Sequence, residues 1–215
     1  MFTLLFIFLD FIVFELFVTA FVMLFLVIDP IGLLPIFISL TLDNHKNRIK
    51  IALRACTVAL GILLLFGLLG ENLLNFIGIG MPAFKISGGL LLFLTAVEML
   101  FSKRGPRREE QTEMDVRNDL SVFPLATPLI AGPGSMATMI LLLENDTSGI
   151  TSTLVILSAM VSVVFITFIF FSMGGPIERL LGKTGINVIT RLMGMLLAAL
   201  SVQFVVDGLN GLGII

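Results

Sequence analysis

An aspartate followed at once by proline, a glycine two residues later and a second proline make up IDPIGLLP at 28–35, inside an apolar stretch that runs from about Phe11 to Leu42. A second stretch, LATPLIAGPGS at 125–135 with Pro124 just before it, repeats the theme. Proline has no N–H and its ring clashes with the preceding turn, so each of these prolines frees backbone groups that a helix would otherwise pair. Glycine lets the backbone come close to a ligand, and Thr127 and Ser135 add hydroxyls beside the freed amides. A helix starting after either break points its N-terminal amides and positive dipole end into the gap, which suits a carboxylate. The residues that these breaks involve are Asp29, Pro30, Gly32 and Pro35 in the first stretch and Thr127, Pro128, Gly132, Pro133, Gly134 and Ser135 in the second. Asp29–Pro30 and Thr127–Pro128 also fit an N-cap followed by proline at the first helical position. Capping alone, and capping combined with binding of a substrate, proton or cation, both stay open at Asp29.

The surroundings make that carboxylate expensive. Of 215 residues 57% are hydrophobic and 13% charged, with a mean hydropathy of +1.11, which describes an integral membrane protein rather than a soluble domain filling one core. Six apolar runs are long enough to cross a bilayer, at about 18–41, 50–69, 83–101, 121–143, 151–173 and 187–207. Their continuity favours helices over the short alternating strands of a barrel. An ionisable group at the centre of such a span costs roughly 2.5–3.5 kcal/mol on insertion scales, so function is the default suspicion there. The start, MFTLLFIFLDFIVFELF, has no basic region or small-residue cleavage site, and is expected to be retained and to extend the first helix or lie in the outer interface.

Twelve of the thirteen Lys and Arg flank the connections after spans one, three and five, with Lys85 the exception. By the positive-inside rule those loops, at 42–50, 103–120 and 175–186, are cytoplasmic and both termini lie outside. The middle connection, KRGPRREEQTEMDVRND at 103–119, carries five basic and five acidic residues and reads as a cytosolic linker between a first unit at 1–102 and a second at 121–215. The halves resemble each other. PIGLLP and PLIAGP each hold two prolines five residues apart, and Gly70, Gly80 and Gly89 recur as Gly175, Gly185 and Gly194 at an offset of 105, which also sets Glu98 opposite Gln203. Three spans per half force the second half to enter the membrane from the opposite side. The expected fold is an all-α membrane protein, six transmembrane helices in an inverted 3+3 repeat with helices 1 and 4 discontinuous, the arrangement of secondary transporters with a site near the midplane.

Asp29, Glu98 and Gln203 are the coupling-ion candidates, although Glu98 near the cytosolic edge can simply snorkel and Gln203 can serve an interhelical hydrogen bond. Ser87, Gly88 and Gly89 read first as a close helix contact. His45 reads as a solvated loop residue, and the lone Cys56 rules out an internal disulfide. The chain lacks HExxH, GxSxG and GxxxxGK[ST] patterns, so neither enzymatic activity nor ATP-driven transport by this chain is expected. No cofactor, metal or nucleic acid is expected, and a homo-oligomer is left open.

The stretches DPIGLLPIF at 29–37, PLATPLIAGPGS at 124–135, ISGGLLLFLTAVEML in span three and TGINVITRLMGMLLAALSVQF at 184–204 together resemble the MarC family of six-helix inner-membrane proteins. The resemblance covers nearly the whole chain. It implies the cell inner membrane with both termini periplasmic, an inverted three-plus-three repeat with discontinuous first and fourth helices, and a substrate-binding region made of Asp29, Pro30, Gly32 and Pro35 with Thr127, Pro128, Gly132, Pro133, Gly134 and Ser135; through members named small neutral amino acid transporters it implies carriage of glycine, alanine or serine coupled to H⁺ or Na⁺. Glu98 stands where many relatives have a shorter side chain. Two other readings stay open: a multidrug or hydrophobic-solute exporter, for which 20 Phe and 11 Met supply an adaptable surface, and a non-transporting membrane adaptor that docks through the charged 103–119 loop.

Overall fold

A computed structural model describes residues 2–42, 47–101, 120–144 and 149–214, with side chains from Val13 onward. Residues 103–119 of the expected linker, His45 and the side chain of Asp10 lie outside the described residues. Among the described residues every regular element is helical: α1 (Phe2–Ile28), α2 (Pro30–Leu40), α3 (Arg48–Ile77), α4 (Met81–Leu100), α5 (Ser121–Ile130), α6 (Pro133–Glu144), α7 (Ile150–Ser172) and α8 (Gly174–Gly211). Five helical stretches are long and apolar enough to cross a membrane, and a sixth arises if the bent pair α5 and α6 counts as one span. The N-terminal run continues α1 as helix from Phe2.

The loop expected at 175–186 is helical instead. Pro176 falls in the first turn of α8, where a missing N–H costs nothing, and α8 breaks once, at Gly182 (φ 63, ψ 167). Residues 48–50, expected in the loop after the first span, already belong to α3. Arg48 closes that connection: its Nε donates to Thr41 Oγ1 at 2.8 Å, Thr41 Oγ1 donates to Phe37 O at 2.7 Å, and the guanidinium lies 6.0 Å from the Phe37 ring centroid. A cation is thus fixed at the C-terminal end of α2, where the helix dipole favours it.

The packing exchanges partners between halves. α1 lies against α7 while α5 lies against α3, and α2 lies against α8 while α6 lies against α4. One apolar core joins α1, α2, α3, α5, α6 and α7 through residues such as Leu24, Phe37, Ala59, Leu129, Met139 and Val163. A second core is built on α4 and α8, from Leu92, Ala96, Met99, Met193, Leu197 and Phe204, and reaches the rest through Leu26, Val27 and Leu141. Leucine, valine and phenylalanine side chains on the outer faces of α3, α4, α7 and α8, Leu65, Leu94, Phe165 and Leu196 among them, are exposed, as a hydrocarbon surround requires.

Within the second core α4 and α8 touch reciprocally. A Cβ on Gly89 would come within 2.7 Å of Ser201 O and 3.1 Å of Val205 N, and a Cβ on Gly194 within 3.2 Å of Ala96 O and 3.3 Å of Leu100 N. Gly194, Ser201 and Val205 stand 105 residues after Gly89, Ala96 and Leu100. Each glycine therefore meets, on the other helix, the residues equivalent to those that its own counterpart meets, which is the property of contacts about a two-fold axis. Small residues at such a crossing bring backbones together where lipid offers no hydrophobic drive for association.

Gly89→Val and Gly194→Val are each expected to lower stability by about 1–3 kcal/mol through overpacking against backbone, and by similar amounts because the contacts are equivalent. Gly61→Val, where a Cβ meets nothing within 4 Å, is the control. Thermal unfolding of the purified protein in detergent checks this, and a silent Gly89→Val contradicts the close crossing.

Candidate functional site

The first break is one residue wide. A residue before proline is pushed out of the right-handed helical region, and Asp29 occupies the left-handed one (φ 54, ψ 64), which Asp tolerates better than most side chains. Its N–H donates to Phe25 O (2.9 Å), closing α1, and its carbonyl accepts from Leu33 N (3.0 Å), opening α2. The carboxylate completes the turn: Asp29 Oδ1 accepts from Gly32 N at 3.0 Å. Asp29 is thus an N-cap with Pro30 at the first helical position, and it is fully buried. Gly32 is required, since a Cβ there would overlap Asp29 Oδ2.

The second break is wider. Phe123 (φ −128, ψ 123) and Thr127 (φ −128, ψ 125) are extended, the conformation that the following Pro124 and Pro128 impose. Both X–Pro bonds are cis. Ala131 N reaches back five residues to Ala126 O at 2.8 Å, and the axis turns by 55° into α6. A Cβ on Gly132 would come within 2.5 Å of Pro128 O, so only glycine fits the corner. Gly132 O accepts from Met136 N at 3.0 Å and opens α6. Ser135, three residues on, accepts from Gly132 N at 2.9 Å, and its hydroxyl proton points at Ile130 O (2.8 Å) or Gly132 O (3.0 Å).

The two breaks therefore use opposite halves of one capping box. At Asp29 the cap side chain bonds the third helical amide, and at Gly132 the third helical side chain bonds the cap amide. The half-helix begins at Gly132–Pro133 and not at Thr127–Pro128, where the N-cap pattern pointed. This also revises the correspondence between halves. Pro30 pairs in role with Pro133, 103 residues on, close to the offset of 105 shared by the glycines.

α1 passes α6 close to both breaks: a Cβ on Gly134 would lie 3.3 Å from Val27 Cγ1, two residues before Asp29, and 3.2 Å from Leu92 Cδ2. Around that junction Asp29, Pro30, Gly132 and Ser135 are buried, Gly32, Pro35, Thr127, Pro128 and Gly134 half-buried, and Pro133 exposed. Glu98 is half-buried on α4. Gln203 is exposed on α8, and in place of an interhelical bond its Nε2 donates to Asp207 Oδ1 at 2.7 Å, one turn along the same helix. Gly89 makes the close helix contact expected of it. The sequence reading missed two polar features: the Arg48 cap on α2 and an ion pair between Lys85 Nζ on α4 and Glu144 Oε2 on α6 at 2.9 Å. The second had a signal, since Lys85 was the one basic residue off the basic face.

Stability separates the two caps. Asp29→Ala and Ser135→Ala are each expected to cost about 0.5–2 kcal/mol, and Gly32→Ala more than Asp29→Ala, because its methyl expels the carboxylate from a buried position. Thermal unfolding in detergent reads all three, and Gly32→Ala behaving like the unmodified protein contradicts this geometry.

The sequence pattern of the family described as "MarC family integral membrane protein" matches residues 14–213. Among relatives, the chain is 40% identical to a "UPF0056 membrane protein" of Aquifex aeolicus over 92% of this chain and 94% of that one. It is 36% identical to the "UPF0056 membrane protein YvbG" of Bacillus subtilis, over 93% and 96% of the two chains. It is also 36% identical to the "UPF0056 membrane protein YhcE" of Escherichia coli, over 89% and 91%. No solved structure matches the chain.

Proposed function

The chain belongs to the MarC family of integral membrane proteins, and on that premise we propose that it is a secondary transporter, not an enzyme, for a small neutral amino acid of the glycine, alanine or serine class. H⁺ or Na⁺ supplies the driving force. In this reading the chain is an inverted 3+3 repeat whose first and fourth helices are discontinuous, set in the cell inner membrane with both termini outside. The exchanged packing of the halves and the reciprocal Gly89 and Gly194 contacts support the repeat.

The observation that carries the proposal is the close approach of α1 at Val27, two residues before the α2 start, to Gly134 in the first turn of α6. First-turn amides have no intrahelical acceptor, and here those of Ile31, Gly134 and Ser135 lie beyond the two proline-bearing starts. Two positive dipole ends in one buried region fit one carboxylate. Asp29, or carbonyls freed by Pro30 and Pro35, would take the ammonium group. The close quarters at Gly134 admit only a short side chain. Ser135 already directs its proton at backbone carbonyls, so it serves the solute only by rotating, and Asp29 is the strongest candidate to bind the coupling ion.

Asp29→Asn is the discriminating variant. Asparagine keeps an acceptor for Gly32 N and tolerates the left-handed conformation, so the protein should fold with an unchanged midpoint while losing the charge. Purified protein in liposomes is expected to accumulate labelled L-alanine under an inward Na⁺ or H⁺ gradient, and Asp29→Asn to lower that accumulation by about tenfold or more, the equivalent of about 1.4 kcal/mol. Normal accumulation by Asp29→Asn leaves the carboxylate as a cap alone. Folded, unmodified protein that accumulates nothing under either gradient contradicts the transport reading.

A further inference from the structure

At two places the chain stops a helical segment in the same way. Gly70, Phe76 and Gly78 close α3, and Gly174, Leu180 and Gly182 follow 104 residues on with the same spacings of six and two. The first glycine of each set is seated on a half-helix from the other half of the chain. A Cβ on Gly70 would overlap Ile140 of α6, and a Cβ on Gly174 would lie 3.3 Å from both Leu34 Cδ1 and Ile38 Cγ1 of α2. The last glycine of each set has a positive φ, 84° at Gly78 and 63° at Gly182, where a side chain would be strained. Between them stand the two most accessible large apolar side chains among the described residues, Phe76 at 90% and Leu180 at 85%.

Phe76 ends an exposed stripe of Leu65, Leu69 and Leu73 along α3, spaced to share one helix face, and that stripe is the lipid-facing surface of a span. Leu180 holds the equivalent position at the opposite membrane face, the one from which α3 sets out at Arg48. The eight residues 174–181 are set off from both neighbouring spans, by Met173 (φ −99, ψ 19) before them and by Gly182 after. Leu180 and Met173, the latter 51% accessible, are costly to leave in water. Arg179 and Lys183 flank Leu180 and are exposed, whereas Glu178 is half-buried. The corresponding turns before Phe76 carry Glu71, Asn72 and Asn75 and no Lys or Arg.

We propose that residues 174–183 form a binding surface for an anionic phospholipid in the leaflet at the basic face. Leu180 enters the acyl chains while Arg179 and Lys183 take the headgroup phosphate, as basic side chains at a membrane interface do. Lipid is the occupant because an apolar residue in the same register faces it at Phe76, and the lipid is anionic because the two sets differ in charge. This surface is independent of any transported solute.

Full-length protein with Leu180→Cys, carrying an environment-sensitive fluorophore, tests this in liposomes; the native Cys56 is buried, so the label goes to position 180. Phospholipids brominated in their acyl chains are expected to quench it. At equal low mole fraction, brominated phosphatidylglycerol should do so about fivefold more effectively than brominated phosphatidylcholine, the scale of one basic side chain at an anionic surface. Arg179→Gln combined with Lys183→Gln should abolish that preference and keep the quenching. A label on Phe76→Cys should be quenched by either lipid alike. Rising salt should shrink the preference at 180 and leave 76 unchanged. Quenching at 180 by aqueous iodide in place of brominated lipid overturns the proposal, as does equal quenching by the two lipids. A preference that survives in the double variant overturns it too, and a label shielded from both iodide and brominated lipid overturns it in favour of a protein partner.

Discussion

Hydrocarbon offers no hydrogen-bond partner, so a chain that leaves the helix inside a membrane must satisfy its backbone from within the protein. This constraint explains where the two breaks lie and how they are built. Pro30 and Pro128 force the residues before them, Asp29 and Thr127, out of helical geometry, and Asp29 and the corner residue Gly132 are buried by protein. Each break then recovers its amides locally, through the Asp29 carboxylate at one and the Ser135 hydroxyl at the other. Gly32 and Gly132 are glycine because a carboxylate and a carbonyl fill the space that a Cβ would need. A carboxylate therefore stands among apolar helices with a structural reason to be there.

The same constraint governs the helices that hold the breaks. α1 and α5 carry the interruptions, and each is covered by helices from the other half of the chain. The α4–α8 crossing supplies a second layer, in which Gly89 and Gly194 let backbones approach without any large side chain between them. The apolar interior is consequently two cores rather than one, joined near Val27 and Leu141. Val27 is also the residue that faces Gly134, so the seam between the cores passes beside the breaks.

Much of this was legible in the sequence because proline, glycine and charge act locally. The breaks at 28–35 and 125–135 and the close packing at Gly89 follow from residue type alone. The start of the second half-helix was harder. Thr127–Pro128 and Gly132–Pro133 are both acceptable cap and proline pairs by composition, and the choice between them depends on Ser135 closing the box and on Pro128 O filling the corner over Gly132. The loop expected at 175–186 was misread because its charges and glycines resemble a connection, while a proline in a first turn is compatible with helix. Gln203 shows the reverse case: an intramembrane amide suggests an interhelical partner, yet an acid four residues along satisfies it on the exposed face. The Lys85–Glu144 pair joins residues far apart in sequence, and only the separation of Lys85 from the other twelve Lys and Arg hinted at it.

The central claim is that the first-turn amides of α2 and α6 together receive the carboxylate of a small solute. Solid-state dipolar recoupling in lipid reads it directly, with alanine labelled at its carboxylate carbon and protein labelled with ¹⁵N at isoleucine in one sample and glycine in another. The account predicts a carboxylate carbon within about 4 Å of an amide nitrogen in each sample, the spacing of a hydrogen-bonded carboxylate, with the glycine signal lost in Gly134→Val. Bound alanine whose carboxylate recouples with neither label would contradict it.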